Sequence, residues 1–220
     1  MNNAQNISEP KKTLLKVLAR LHFATVPQLA YWHKDCHESR IYDHLNQLIK
    51  LDLVEVYKAK KPYIYSPTRN GFRAGGLTPP RGSRNYTWSV MTHRVHLNES
   101  EIKLRKHYPE FKFLPRKNTI KYGVNPSFCE HYGMGNGKRI MMLLDDYLMD
   151  SKKIKQTLER DHKPDPRFFD IKKSKINKWP EISDIYVVGS IDEQQYENHK
   201  AFIMKHKIEA KLLKVPTFWG

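Results

Sequence analysis

From Pro10 to Gly71 the apolar residues of this chain recur three times at helical spacing and then in two short alternating runs, a pattern that few folds other than three helices and a hairpin can bury. Leu14, Leu15, Val17, Leu18, Leu21 and Phe23, following Pro10 and Lys11-Lys12, predict a first helix. After a break at Ala24-Thr25, the run Val26 to Trp32 predicts a brief second helix, with Thr25 as its cap and Pro27 in the first turn, where a missing N–H costs nothing. Glu38 to Lys50 places Ile41, Leu45, Leu48 and Ile49 on one helical face and Ser39, Arg40, Tyr42, Asp43, Asn46 and Gln47 largely on the other. Leu53 to Tyr57 and Tyr63 to Tyr65 then read as two strands around a basic tip, Lys58 to Pro62.

This order is that of a winged helix-turn-helix, in which the third helix enters the major groove while lysines of the wing and nearby loops fix register on phosphate. The expected groove-facing residues are Ser39, Arg40, Tyr42, Asn46 and Gln47, and the expected phosphate contacts are Lys58, Lys60, Lys61, Arg69 and Arg73. Winged helices also serve as protein-binding modules, and a polar helix face can be merely solvated, so charge carries independent weight. Lys and Arg number 39 against 23 Asp and Glu, a formal net charge of +16 with a pI near 9.7, which points to a polyanionic partner. The basic residues also cluster at Arg81 to Arg94, Lys103 to Lys106, Arg116-Lys117, Lys152 to Lys155 and Lys172 to Lys178, more than one small domain needs, implying an extended DNA track or a second nucleic-acid contact.

At 220 residues the chain can build two modest domains. The expected division is a DNA-binding domain over residues 1–76, a basic linker over 77–86 carrying Arg81 and Arg84, and an α/β domain over 87–220. Within the last, Trp88 to His107 reads as a helix with Val90, Val95, Leu97, Ile102 and Leu104 on its apolar side and an Asn98-x-Ser100-Glu101 polar face. Lys112 to Leu114, Thr119 to Tyr122, Arg139 to Leu144, Ile185 to Val188 and Glu209 to Val215 read as strands. Asp150 to Arg160 and Asp192 to Lys205 read as helices, and Gly133 to Lys138 as a glycine-rich hairpin. The overall class is therefore α+β. No apolar run is long enough to cross a bilayer, the start is polar rather than a secretory signal, and Cys36 and Cys129 are too few for a disulfide framework, so a cytoplasmic protein with reduced thiols is expected.

The wing followed by Ser66-Pro67-Thr68-Arg69-Asn70-Gly71, and then Thr92-His93-Arg94-Val95-His96-Leu97-Asn98-Glu99, resembles in layout the replication-relaxation family, which includes the MobC-type mobilisation proteins of plasmids. That resemblance implies a winged helix followed by a small α/β domain similar to the restriction-endonuclease fold. It also implies a role in initiating transfer or replication at a DNA origin, alongside other mobilisation or replication proteins. The family's second domain usually shows a Pro-Asp pair and an acidic strand end. The corresponding places here are Pro126-Ser127 and Leu143-Leu144-Asp145-Asp146, so the aspartate after proline is replaced and the fold is read as degenerate. Asp145, Asp146 and Asp150 remain as candidate catalytic carboxylates, Asp145 and Asp146 being the ones to hold Mg²⁺ in an active enzyme, with Lys152 or Lys153 nearby. A solvated strand-to-helix turn accounts for the same residues without a metal.

Other motifs count against catalysis. Pro164-Asp165 with Asp170-Ile171-Lys172 mimics a nuclease signature in miniature, but too little chain separates the two acids to bring separate strands around one ion. His33, Cys36 and His37 lack the partners of a zinc site, and the two histidines suit phosphate contact at the entry to the third helix. His93 and His96 lack the spacing of relaxases that use a metal-bound tyrosine, and no phosphate-cradling loop is present. No resident cofactor is expected. Three readings stand at this point: a sequence-specific double-stranded DNA-binding protein of a mobile element, compatible with a homodimer; a Mg²⁺-dependent nicking relaxase or endonuclease; and a transcription regulator.

Overall fold

The computed structural model describes residues 7–34, 36–80, 86–113, 132–146, 185–207, 210–216 and 218–219. They form six helices and two sheets of a mixed α+β protein, none of the helices being long and apolar enough to cross a membrane. The chain divides into two compact units, Met1–Glu99 with Phe218–Gly220, and Ser100–Thr217. The first unit therefore extends into the helix with which the expected second domain opens.

In the first unit α1 (Glu9–Leu21), α2 (Val26–Trp32) and α3 (Glu38–Lys50) bury one stripe each. Leu14, Leu15, Leu18, Leu29, Ile41, Leu45 and Leu48 are all fully buried in one cluster, and each contributes about 1.5–3 kcal/mol on leaving water. The start of α2 is closed from the Thr25 backbone N–H to Gln28 Oε1 at 3.3 Å, and Gln28 Nε2 donates onward to the Val95 carbonyl at 2.8 Å. β1 (Val54–Tyr57) and β2 (Ile64–Pro67) pair antiparallel, Val54 against Pro67 and Tyr57 against Ile64.

Two features here follow from contacts that local periodicity does not carry. Phe23 is not part of α1: the helix ends at Leu21, His22 takes φ 70°, and Phe23 turns into a second cluster with Ile64, Met91 and Val95. Ala24 then exchanges two backbone hydrogen bonds with Tyr65, at 3.0 and 2.9 Å, giving the hairpin a one-residue third edge. A short helix that the periodicity does not announce, α4 (Arg69–Ala74), starts where Thr68 Oγ1 accepts from Gly71 N–H at 3.0 Å and donates to the Asp52 carbonyl at 2.7 Å.

The helix predicted from Trp88 is present as α5 (Trp88–His107), but its apolar and polar assignments change. Val90 is exposed and Met91 buried in its place, while Asn98, Ser100 and Glu101 are buried rather than forming an outward polar face. The Asn98 amide tolerates burial because it donates to the carbonyls of Leu21 and Phe23.

The second unit carries β3 (Lys112–Phe113), β4 (Tyr132–Gly135), β5 (Lys138–Asp145), β6 (Ile185–Ser190), α6 (Glu193–Lys205) and β7 (Ala210–Lys214). Its sheet has the order β3-β4-β5-β6-β7, antiparallel over the first three strands and parallel over the last three. Asn136 and Gly137, at φ 51° and 73°, make the tight turn between β4 and β5, the conformation an Asn-Gly pair supplies at least cost. The apolar run Ile140 to Leu144 is buried in the centre of this sheet, as a strand covered on both faces requires. Asp192 caps α6 by accepting from Gln195 N–H at 3.0 Å. Thr119 to Tyr122, Asp150 to Arg160, Pro126-Ser127 and the Pro164 to Lys172 segment lie outside the described residues.

Candidate nucleic-acid interface

Burial of Ile41, Leu45 and Leu48 locks the rotation of α3 about its axis, and the opposite face is consequently presented outward. Ser39, Arg40, Tyr42, Asp43, Asn46 and Gln47 are all exposed, Tyr42 by 46%. His37 occupies the cap position of α3, its Nδ1 3.2 Å from Ser39 Oγ. Where α3 meets the hairpin, burial, with Tyr42 and Tyr63 nearby, pushes the Tyr65 hydroxyl up to about 12, so it stays a neutral packing group.

Cations gather on the neighbouring elements. Lys58, Lys60 and Lys61 are exposed between β1 and β2, and Arg69 and Arg73 are exposed on α4. Burial and then the nearby Lys11, His33 and Arg40, partly opposed by Asp43, hold the His44 ring below its ordinary range. Among the described residues no ion pair engages Arg40, Lys58, Lys60, Lys61, Arg69 or Arg73, whereas Lys12 is held by Glu9 at 2.7 Å. Cations not neutralised within the fold are the ones that can exchange counterions for phosphate. Arg81 and Arg84 lie outside the described residues.

The histidines at the entry to α3 separate. His33 is buried, with Nε2 3.2 Å from the Pro10 carbonyl, and so ties α2 to the start of α1 instead of meeting phosphate; His37 remains exposed. Cys36 is a buried free thiol, and Cys129 lies outside the described residues.

The acidic pair of the second unit is not a solvated turn. Asp145, at the end of β5, and Asp146 are 7% and 4% exposed, and Asp145 Oδ2 accepts from Nε2 of the fully buried His199 on α6 at 2.8 Å. This bond ties the end of β5 to α6. Among the described residues no group of three or more His, Cys, Asp or Glu side chains converges to hold a metal. Asp150, Lys152 and Lys153 lie outside them.

Four further residues frame the basic tip and carry no local signal in the sequence. Trp219 Nε1 donates to the Pro62 carbonyl at 3.1 Å, Trp88 packs edge-on to Trp219 at 5.4 Å, and His96 stacks on Phe218 at 6.2 Å. The helix α4 does carry one: Thr68 stands three residues before Gly71 in a run of turn formers. No protein-family model matches the chain, and neither the curated proteins nor the solved structures contain a match.

Proposed function

We propose that this protein binds double-stranded DNA through α3 and the β1–β2 hairpin, used as a winged helix-turn-helix. In this reading it is a sequence-specific factor of a mobile genetic element that assembles an origin complex, with other mobilisation or replication proteins, for transfer or replication. The supporting observation is the exposed polar face of α3, Ser39, Arg40, Tyr42, Asn46 and Gln47, beside a hairpin whose tip presents Lys58, Lys60 and Lys61 outside any ion pair among the described residues.

On this reading the helix face reads base edges, Arg40 and the amides of Asn46 and Gln47 offering hydrogen bonds of the kind that distinguish base pairs. The hairpin lysines and the arginines of α4 supply affinity and register through phosphate. The small α/β unit, read as a degenerate nuclease-like domain, contributes DNA or protein contacts. The bond from His199 gives the buried Asp145 carboxylate a structural role that needs no metal, and this supports the binding and assembly reading.

Footprinting on the DNA flanking its own coding sequence at physiological salt, with and without Mg²⁺ and on a gel that resolves nicked strands, tests this. Protection without a nick is the expected result. A Mg²⁺-dependent nick at one position would replace the binding reading with a nuclease, and protection confined to a promoter palindrome would make the protein a transcription regulator.

A further inference from the structure

We propose that Trp219, with Phe218, positions the hairpin tip for DNA contact, an inference that rests on the DNA-binding reading above. Two four-residue strands with a lysine-rich connection have little stability of their own. Lys58, Lys60 and Lys61 also repel one another, so an unsupported tip would spread over many conformations.

What restrains the tip comes from 157 positions away in the chain. The Trp219 indole N–H, donated to the Pro62 carbonyl at 3.1 Å, fixes the direction of the Pro62–Tyr63 peptide group, the middle one of the three between Lys61 and β2. The ring is itself fixed, edge-on to Trp88 at 5.4 Å and 5.8 Å from His96, and Phe218 lies nearly parallel to His96, at 11°. Trp88, Phe218 and Trp219 pack on Phe23, Ile64, Met91 and Val95, and Ile64 is the first residue of β2, two positions beyond Pro62. The aromatic pair thus holds both the carbonyl of the tip and the strand that leaves it. A tip held in one orientation meets several phosphates without a further ordering cost, which is how pre-organisation raises affinity.

The test uses the full chain and a duplex of unrelated sequence, whose binding phosphate contacts dominate. Hydrogen exchange at the amides of residues 58–61 and 63 is compared in the parent, Trp219→Ala and Trp219→Phe. Duplex affinity is measured for the same proteins with and without Lys60→Ala and Lys61→Ala. The expected result is exchange at the tip roughly tenfold faster in Trp219→Ala, with α3 unchanged. Trp219→Phe, which keeps a ring but loses the N–H, should fall between. Affinity should drop roughly threefold to tenfold in the parent background and not at all once the two lysines are gone, the coupling expected of groups that act through one another.

If Trp219→Ala loosens the whole protein, the Trp219→Phe comparison decides by the same readouts. Unchanged exchange at the tip in both variants overturns the proposal, as does an affinity loss of equal size with and without the lysines. Should the parent bind no duplex while the tip loosens as expected, the brace stands and the DNA-binding reading falls instead.

Discussion

Asn98 Nδ2 donates to the carbonyl oxygen of Phe23 at 2.6 Å and reaches that of Leu21 at 3.4 Å, so one amide on α5 grips both sides of His22. His22 sits at φ 70°, a backbone region that side-chain-bearing residues avoid, and the grip on either side is what maintains it. The same turn delivers Ala24 to its pairing with Tyr65, which makes the Asn98 bonds part of the support of the hairpin.

Replacing Asn98 by Ala leaves these buried carbonyls without their donor. The expected cost is about 2 kcal/mol, read as a lower urea midpoint of the full chain. A midpoint within error of the parent would show that water replaces the amide without loss.

His22 packs against Phe72 and Tyr86, and burial, with Arg94 nearby, holds its ring down to about 4 from the ordinary 6.5. The folded form therefore binds fewer protons than the unfolded form across that window. Stability is unaffected above pH 6.5, falls as pH drops from 6.5 towards 4, and levels off below. The ring is partly solvated, so the contribution is discounted to about 2 kcal/mol. Urea unfolding at stepped pH should show the decline, and His22→Phe should flatten it; an equal slope in both proteins would assign the decline to other groups.

Gly71 lies inside α4, where alanine would ordinarily gain about 1 kcal/mol of helix propensity. A Cβ there would lie 1.9 Å from the carbonyl oxygen of Leu53, and that oxygen is held in place by the Thr68 N–H at 3.0 Å. The clash outweighs the propensity gain: Gly71→Ala should cost about 3 kcal/mol, seen as a fall in Tm of several degrees. A stabilised variant would mean that α4 shifts freely.

If α3 reads bases and the hairpin holds phosphate, two surface changes should have different signatures. Arg40→Ala should relax preference for the footprinted site by about 1–3 kcal/mol, while Lys60→Ala should weaken all duplexes alike and lower the salt slope by about one. Titrations over a range of salt separate the two, and identical behaviour of the variants would show that the groove-facing surface is assigned wrongly.

Asp145→Ala strips the acceptor from the fully buried Nε2–H of His199, whose Nδ1 has no partner among the described residues. Stability should fall by about 2 kcal/mol, equally with and without Mg²⁺, whereas Asp145→Asn retains an acceptor and should lose less. A stability loss present only with Mg²⁺ would instead mark Asp145 as a metal ligand.

The three helices and the hairpin were legible along the chain because each is written in short-range spacing. Leu45 and Leu48 name the inner face of α3, and the alternation around Lys58 to Pro62 names the two strands. The same holds for the Asn136-Gly137 turn and for the buried run of β5. Asn98 could not be read this way: in sequence it is one more polar residue on a polar helix face, and only the carbonyls of Leu21 and Phe23 explain its burial.

Local periodicity thus decided which segments are helix or strand and which side of each is apolar, since a hydrophobic stripe fixes the orientation of an element whatever it packs against. The folded chain alone decided that Ala24 pairs with Tyr65, that His199 occupies Asp145, and that Trp219 holds Pro62. Each of these rests on one or two directional bonds between residues far apart in the chain. Such a bond leaves no periodic trace, because its geometry exists only once the separate apolar faces have been buried together.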